Sequence, residues 1–196
     1  MPRLISVWLA LGLAWLVAAA APAHAGAKAK KRYLFQISLV SPKKTLPEEL
    51  EKVVLPMLTA EVNKQLAAHP QLVTELPGAP DPLENANKYR RFLKQRGLSG
   101  AYLVRVDLTD ASEEVEALEG RSKQRLIVRL AVHMFGETIP GRTMGFTGDG
   151  SASIRQGVGK KVRPRDQEYT WQSAVELAVA DAISTSLAKL EASAKK

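Results

Sequence analysis

Two histidines, His69 and His133, follow the apolar N-terminal stretch of the chain. His69 stands before Pro70 at the predicted end of a helix, where the helix dipole favours an imidazole. His133 lies within a predicted strand. Neither belongs to a His-x-x-x-His or His-Glu-x-x-His pattern, and the chain contains no cysteine. The sequence therefore excludes thiolate chemistry and has no metal-site signature. We expect both histidines to be structural, with no catalytic residue, no metal and no cofactor.

Two glycine-containing segments approach known chemical motifs without matching them. Gly148-Asp149-Gly150-Ser151 is not the Gly-x-Ser-x-Gly pattern of a serine nucleophile, and we predict that its glycines mark a bulged or edge strand. Gly157-Val158-Gly159-Lys160-Lys161 contains a Gly-Lys pair. A P-loop, however, needs glycine where Ile154 stands and Ser or Thr where Lys161 stands. We therefore interpret the second segment as part of a flexible basic loop.

Acidic side chains cluster after a predicted strand. Asp107, Asp110, Glu113 and Glu114 include enough carboxylates for a glycosidase pair, but the sequence fixes no distance between them. We interpret this region as a solvated hairpin tip. It is the first of two candidate docking segments, and we call it the acidic segment. Its members are Asp110, Glu113, Glu114, Glu116 and Glu119.

The second candidate docking segment is basic. Its cations are Arg155, Lys160, Lys161, Arg163 and Arg165, and we call it the basic segment. The opposite signs of the two segments permit docking to another protein, or head-to-tail association of this chain into a homo-oligomer. The alternative interpretation is that both are ordinary solvated loops.

The first 25 residues have the pattern of a secretory signal peptide. Arg3 precedes an apolar run from Leu4 to Ala21, and Ala23-His24-Ala25 supplies a small-x-small cleavage site. We predict cleavage near Gly26 and a periplasmic or secreted mature chain. An uncleaved anchor is the alternative, since ~20 apolar residues suffice to cross a bilayer. Without a lipobox cysteine we expect no lipid anchor, although contact with a membrane surface remains open.

Hydrophobic periodicity predicts the first half of the domain. A strand from Tyr33 to Val40 places Leu39 on its buried face. Thr45 is the predicted N-cap of the next helix, which Pro56 should kink or divide. Residues 71 to 76 form a short strand in this interpretation. Asp81 then caps a second helix that buries Leu83 on one face and ends at Gly97.

Three strands and a helix complete the predicted order. The strands cover residues 101–108, 125–135 and 143–154, and the closing helix has Val179 at the centre of its apolar stripe. Residues 1–25 are then the signal peptide, 26–32 a flexible basic leader, 33–192 a single α/β domain and 193–196 a tail. We predict a mixed sheet of four to five strands with three main helices packed on it.

Four segments carry a family resemblance. They are "LTAEVNKQLAAHPQLVTEL", "FLKQRGLSGAYLVRVDL", "GFTGDGSASI" and "AVELAVADAISTSLAKL". Their order and apolar pattern resemble the periplasmic α/β domain of the CsgG, LpoB and TolB N-terminal type over most of residues 33–190. The resemblance implies an accessory role in the cell envelope, by activating, scaffolding or docking another envelope protein. Members such as CsgG and LpoB are lipidated at a cysteine, which this chain lacks.

The net charge of the chain and its predicted export limit the classes of partner that we expect. The formal net charge of +8 favours acidic partners, and export argues against nucleic acid. We predict a non-catalytic periplasmic binding protein whose partner is an envelope protein or a second copy of itself. Two other classes stay open: a secreted cell-wall hydrolase, and a binder of polyanions or membrane surfaces that uses the basic leader and the basic segment.

Overall fold

The computed structural model describes residues 30–43, 46–118 and 123–193. The predicted signal peptide, most of the basic leader, Thr45 and Glu119 lie outside the described residues. In the predicted tail only Ser193 is described, and it ends the last helix. Within these ranges no helix is both long and apolar enough to span a membrane.

The described residues form strands and helices in the predicted order. They are β1 (Arg32–Pro42), α1 (Glu48–Ala68), β2 (Leu72–Val73), α2 (Ala86–Gln95), β3 (Leu98–Ala117), β4 (Gln124–Thr138), β5 (Met144–Val158) and α3 (Pro164–Ser193). The strands make one mixed sheet in the order β2-β1-β3-β4-β5. β1 is parallel to β2 and β3, whereas β3, β4 and β5 form an antiparallel meander. The predicted α/β class is confirmed.

The sheet has one fully covered face and one partly covered face. Helices α1 and α3 pack on the first, burying side chains such as Phe35, Leu58 and Val128 between the layers. Helix α2 covers only the start of β1 and β3 on the second face, where Tyr89 packs with Leu34. The rest of the second face, across β3 to β5, carries mostly polar side chains, which leaves it available to solvent.

The prediction that Leu39 faces the core is wrong because β1 contains a bulge. The register of β1 against β3 shifts between Ile37 and Leu39. A bulge inserts one unpaired residue, so the side chains beyond it exchange faces. Leu39 is consequently 44% exposed, while Val40 packs against the core instead.

Helix α1 is not divided at Pro56. It runs unbroken from Glu48, with Pro47 at its N-cap and no side-chain cap. Pro56 is exposed, so the carbonyl left without a partner by the missing N–H lies on the solvent side.

Helix α2 starts later than predicted. Asn85 is its N-cap, and the side chain accepts a hydrogen bond from Lys88 N at 2.9 Å. Asp81 instead accepts from Leu83 N at 2.7 Å, which stabilises the preceding turn. Leu83 is therefore 76% exposed rather than buried. The stop at Gly97 is confirmed, with a φ of +70° that favours glycine.

The glycines of β5 let α3 approach the sheet closely. A Cβ on Gly150 would lie 2.0 Å from the carbonyl oxygen of Ala178, and one on Gly148 would lie 2.5 Å from that of Ala182. The predicted edge position of this strand is confirmed, and its register against β4 is regular at both glycines. Close backbone approach, rather than a bulge, is what these glycines permit.

Candidate functional site

The acidic segment is strand, not a hairpin tip. β3 continues to Ala117, and Asp110 through Glu116 pair in register with β4. The strand boundary predicted from the sequence was too early because acidic residues are poor strand formers in isolation, whereas here Glu114 and Glu116 form ion pairs with arginines of β4. Glu119 lies outside the described residues.

Glu113 is bound inside the protein. Its carboxylate accepts a hydrogen bond from Trp171 Nε1 at 2.7 Å and from Gln167 Nε2 at 2.8 Å. Trp171 is buried at the start of the core stripe of α3. Glu113 therefore ties the far end of β3 to α3, and these bonds occupy part of its capacity to accept hydrogen bonds.

Two further members of the acidic segment are neutralised across the sheet. Glu116 pairs with Arg125 at 3.3 Å, and Glu114 pairs with Arg129 at 3.2 Å. Both arginines belong to β4, directly beside the segment. Asp110 is exposed and has no ion pair in the described ranges. The acidic segment thus presents little free negative charge to a partner.

The basic segment differs from the acidic segment in its exposure and ion pairing. All five cations are exposed, and none has an ion-pair partner among residues 30–43, 46–118 and 123–193. Their backbone is not a single loop as predicted. Arg155 lies in β5, Arg165 lies in the first turn of α3, and the other three lie between these elements.

The core holds this segment in place. Val158 is buried, and Val162 packs against the main core. Thr170 of α3 also donates a hydrogen bond to the Gln156 side chain of β5 at 2.5 Å. The two valines were missed at the sequence level because two apolar residues four apart in a glycine-containing segment show no strand or helix period. The cations therefore project from a positioned surface.

The second sheet face holds a row of ionisable side chains that runs from the buried Asp107 to the exposed Asp149. Asp107, His133 and Asp149 are direct neighbours across β3, β4 and β5. His133 Nδ1 lies 2.6 Å from an Asp149 carboxylate oxygen. This hydrogen bond is the main cause that lowers the Asp149 pKa. The register of the three strands brings these side chains together, and that register cannot be predicted from the sequence alone.

Asp107 has different partners. Arg105 Nε donates to its carboxylate at 2.9 Å, and Ser41 Oγ donates at 3.4 Å. Ser41 therefore meets a carboxylate rather than an imidazole, which is not the nucleophile–base arrangement of an acyl-transfer site. No group of three or more potential metal ligands occurs within the described residues.

His69 caps the end of α1 as the sequence suggested. Its Nδ1 accepts a hydrogen bond from Gln71 N at 3.3 Å. Burial lowers its pKa, and the nearby charge of Lys30 adds to the shift. Both observations favour the neutral form, which accepts the Gln71 N–H, rather than the protonated form that the helix dipole would stabilise.

Helix α2 carries a basic surface that the sequence analysis did not single out. Five cations occur between residues 88 and 96, with no acidic residue among them. This density of positive charge is the signal that the sequence offers for the surface. The five are Lys88, Arg90, Arg91, Lys94 and Arg96, and all are exposed.

Comparisons with known proteins give structural likeness only. No protein-family model matches the chain, and no curated protein matches it. Among solved structures, protein XCC0632 from Xanthomonas campestris has a TM-score of 0.47 at 7% identity, covering 85% of this chain and 90% of that one. Rare lipoprotein B from Shewanella oneidensis has a TM-score of 0.40 at 15% identity, covering 82% and 99%.

A minor lipoprotein from Acinetobacter baumannii is similar at a TM-score of 0.38 and 13% identity, covering 83% of this chain and 93% of its own. Several similar structures are thus bacterial lipoproteins by name. At these scores the likeness assigns this chain neither a family nor an activity. The CsgG, LpoB and TolB type therefore stays a prediction.

Proposed function

We propose that this protein is a non-catalytic accessory protein of the bacterial cell envelope that docks an acidic envelope protein through the basic segment. Export rests on the signal-peptide pattern of residues 1–25. The observation that carries the docking surface is the contrast between the two charged segments. The acidic one is used internally, and the basic one has exposed charges with no ion pair in the described part of the chain.

The geometry supports an acidic partner. The basic segment surrounds the start of α3, where the helix dipole adds partial positive charge. Asp166 is the one acidic residue in that first turn. Exposed charges of one sign raise the association rate with an oppositely charged surface, and salt weakens this effect.

Self-association through the two segments is less well supported. Head-to-tail assembly would require the acidic segment of one copy to receive the basic segment of the next. Three of its four described carboxylates are already bound, to Trp171 with Gln167, to Arg129 and to Arg125. We therefore favour a different protein as the partner.

The same contacts argue against a hydrolase built on the acidic carboxylates. Glu113, Glu114 and Asp107 each have a donor or cation partner in the described structure. A glycosidase needs two carboxyl groups that face a bound sugar, whereas these three are held by contacts within the domain.

The test compares two variants of equal net charge. One replaces the five cations of the basic segment by Ser, and the control replaces the five cations of α2 by Ser. Tagged full chains capture proteins from a native envelope extract at low and moderate salt, and mass spectrometry identifies the captured protein. That protein is then purified, and its binding to each chain is measured directly. We expect the first variant to lose an acidic partner that the control retains. Equal capture by both variants and the unchanged chain contradicts the proposal.

A further inference from the structure

We propose that α2 and the turn before it form a membrane-contact surface for bilayers that bear anionic phospholipids. We call it the α2 face. It consists of Leu83, Phe92 and the cations Lys88, Arg90, Arg91, Lys94 and Arg96. This inference goes beyond the docking function above and involves a different surface of the domain.

The positive charges of α2 lie on its outward surface. Tyr89 and Leu93 point into the protein and are buried. The cations occupy the remaining circumference, so one flank of the helix presents Lys88 and Arg91 and the other presents Arg90 and Lys94. None has an ion pair in the part of the chain that the structure describes. A basic face of this kind is attracted to anionic lipid surfaces.

Nearby acidic residues do not cancel this charge. Asp81 and Glu84 lie just before α2, and the Asp81 carboxylate accepts a hydrogen bond from Leu83 N. Glu75 lines a groove with Arg32 and Arg96. With Lys31 and Arg32 counted, the cations on this side outnumber the acidic residues.

The end of the basic leader lies next to α2. A cleft between α2 and the start of β3 is lined by Lys31, Arg90 and Lys94. Lys31 follows the apolar run, which ends at Ala21, by ten residues. Ten residues span at most about 35 Å. During export, or with an uncleaved anchor, the chain that follows the apolar run therefore enters the domain beside the α2 face.

An exposed leucine distinguishes a bilayer from a soluble polyanion as the ligand. Leu83, in the turn before α2, is 76% exposed. Phe92 is half-buried on the same helix, with the Arg96 guanidinium 5.1 Å from its ring centroid. An exposed apolar side chain next to a basic helix is typical of interfacial binding, where the apolar group enters the headgroup region. A polyanion chain in water offers Leu83 no such environment.

The experiment measures binding of the full chain to two kinds of vesicle. One contains phosphatidylcholine alone, and the other contains equal parts of phosphatidylcholine and phosphatidylglycerol. Residues 4–21 contribute to binding in both, so the difference isolates the anionic lipid. We expect stronger binding to the anionic vesicles and a loss of at least tenfold when the five α2 cations become Gln, because each contributes roughly fivefold near an anionic surface.

A matched control removes the same number of charges from the basic segment. That variant should keep most of its anionic-vesicle binding, and both variants should melt like the unchanged chain. Equal losses in the two variants, or no loss in the α2 variant, overturn the inference. Partner capture that survives removal of the basic-segment cations would contradict only the docking proposal. Anionic-vesicle binding that survives removal of the α2 cations would contradict only the membrane-contact proposal.

A labelled chain provides a second readout without changing any basic charge. Because the chain has no cysteine, Leu83→Cys carries an environment-sensitive dye at one position, and Ala180→Cys provides a control on the exposed side of α3. We expect a blue shift at position 83 on anionic vesicles and none at position 180. A soluble polyphosphate that binds as tightly as the vesicles, with no shift at position 83, overturns the inference in favour of a polyanion.

Discussion

Trp171 Nε1 donates a hydrogen bond of 2.7 Å to the carboxylate of Glu113. This contact joins the far end of β3 to the first turns of α3, beneath the segment that carries the exposed cations. Glu113, which the sequence predicted to be part of a docking surface, therefore has a structural role.

Glu113→Ala should destabilise the domain by about 1–3 kcal/mol, because it leaves the buried Trp171 N–H without an acceptor. Urea unfolding measures this change in the free energy of unfolding. Asp110→Ala is the control, since Asp110 is exposed on the same strand, and it should change stability by less than about 0.5 kcal/mol. Equal effects of the two substitutions would show that the Trp171 contact does not stabilise the fold.

Val179→Asp should abolish cooperative unfolding. Val179 is fully buried in the core stripe of α3, so aspartate would place an unpaired charge there, at a cost comparable with the stability of a whole domain. Leu177→Asp is the control on the same helix, because Leu177 is 54% exposed. Thermal melting followed by circular dichroism distinguishes the two, and a Val179→Asp transition near that of the unchanged chain would contradict the packing of α3.

Gly150→Ala should cost about 1–3 kcal/mol through overpacking. Its Cβ would fall 2.0 Å from the carbonyl oxygen of Ala178, so α3 or β5 must move. Gly157→Ala, in the same strand, has nothing within 4 Å of its new Cβ and should leave the melting temperature nearly unchanged. Similar melting temperatures for both variants would mean that α3 does not approach β5 closely.

Asp149 should titrate below the usual range of an aspartate. Its pKa is lowered chiefly by the hydrogen bond to His133. Because the folded pKa lies below the unfolded one, the pair stabilises the fold above the unfolded pKa, and this contribution disappears as pH falls through the folded pKa. Carboxyl NMR should show the Asp149 pKa rising in His133→Ala. An unchanged pKa in that variant would rule out His133 as the main cause.

The sequence predicted the order of elements well because each strand and helix has its own apolar period. Gly97 and the Val179 stripe show how local signals survive into the fold. Register was not predictable: the bulge that turns Leu39 outward, and the row of Asp107, His133 and Asp149, depend on partners distant in sequence.

The limits of the charged segments were also set by tertiary contacts. β3 extends through the acidic residues because it pairs with β4, where Arg125 and Arg129 form ion pairs with Glu116 and Glu114. Helix α2 starts after Asn85 because that side chain, not Asp81, caps the helix. The sequence therefore identified charged candidates but not which charges remain free. That property follows from pairing across the sheet.

The most direct test of the docking proposal is site-specific photo-crosslinking in native envelopes. A photoreactive residue replaces Lys161 in one chain and Asp110 in another, so each charged segment carries one probe at an exposed position. We predict that the probe at 161 forms an adduct with an acidic envelope protein, that moderate salt reduces its yield, and that the probe at 110 does not form it. An adduct at 110 without one at 161 would contradict the assignment of the basic segment as the docking surface.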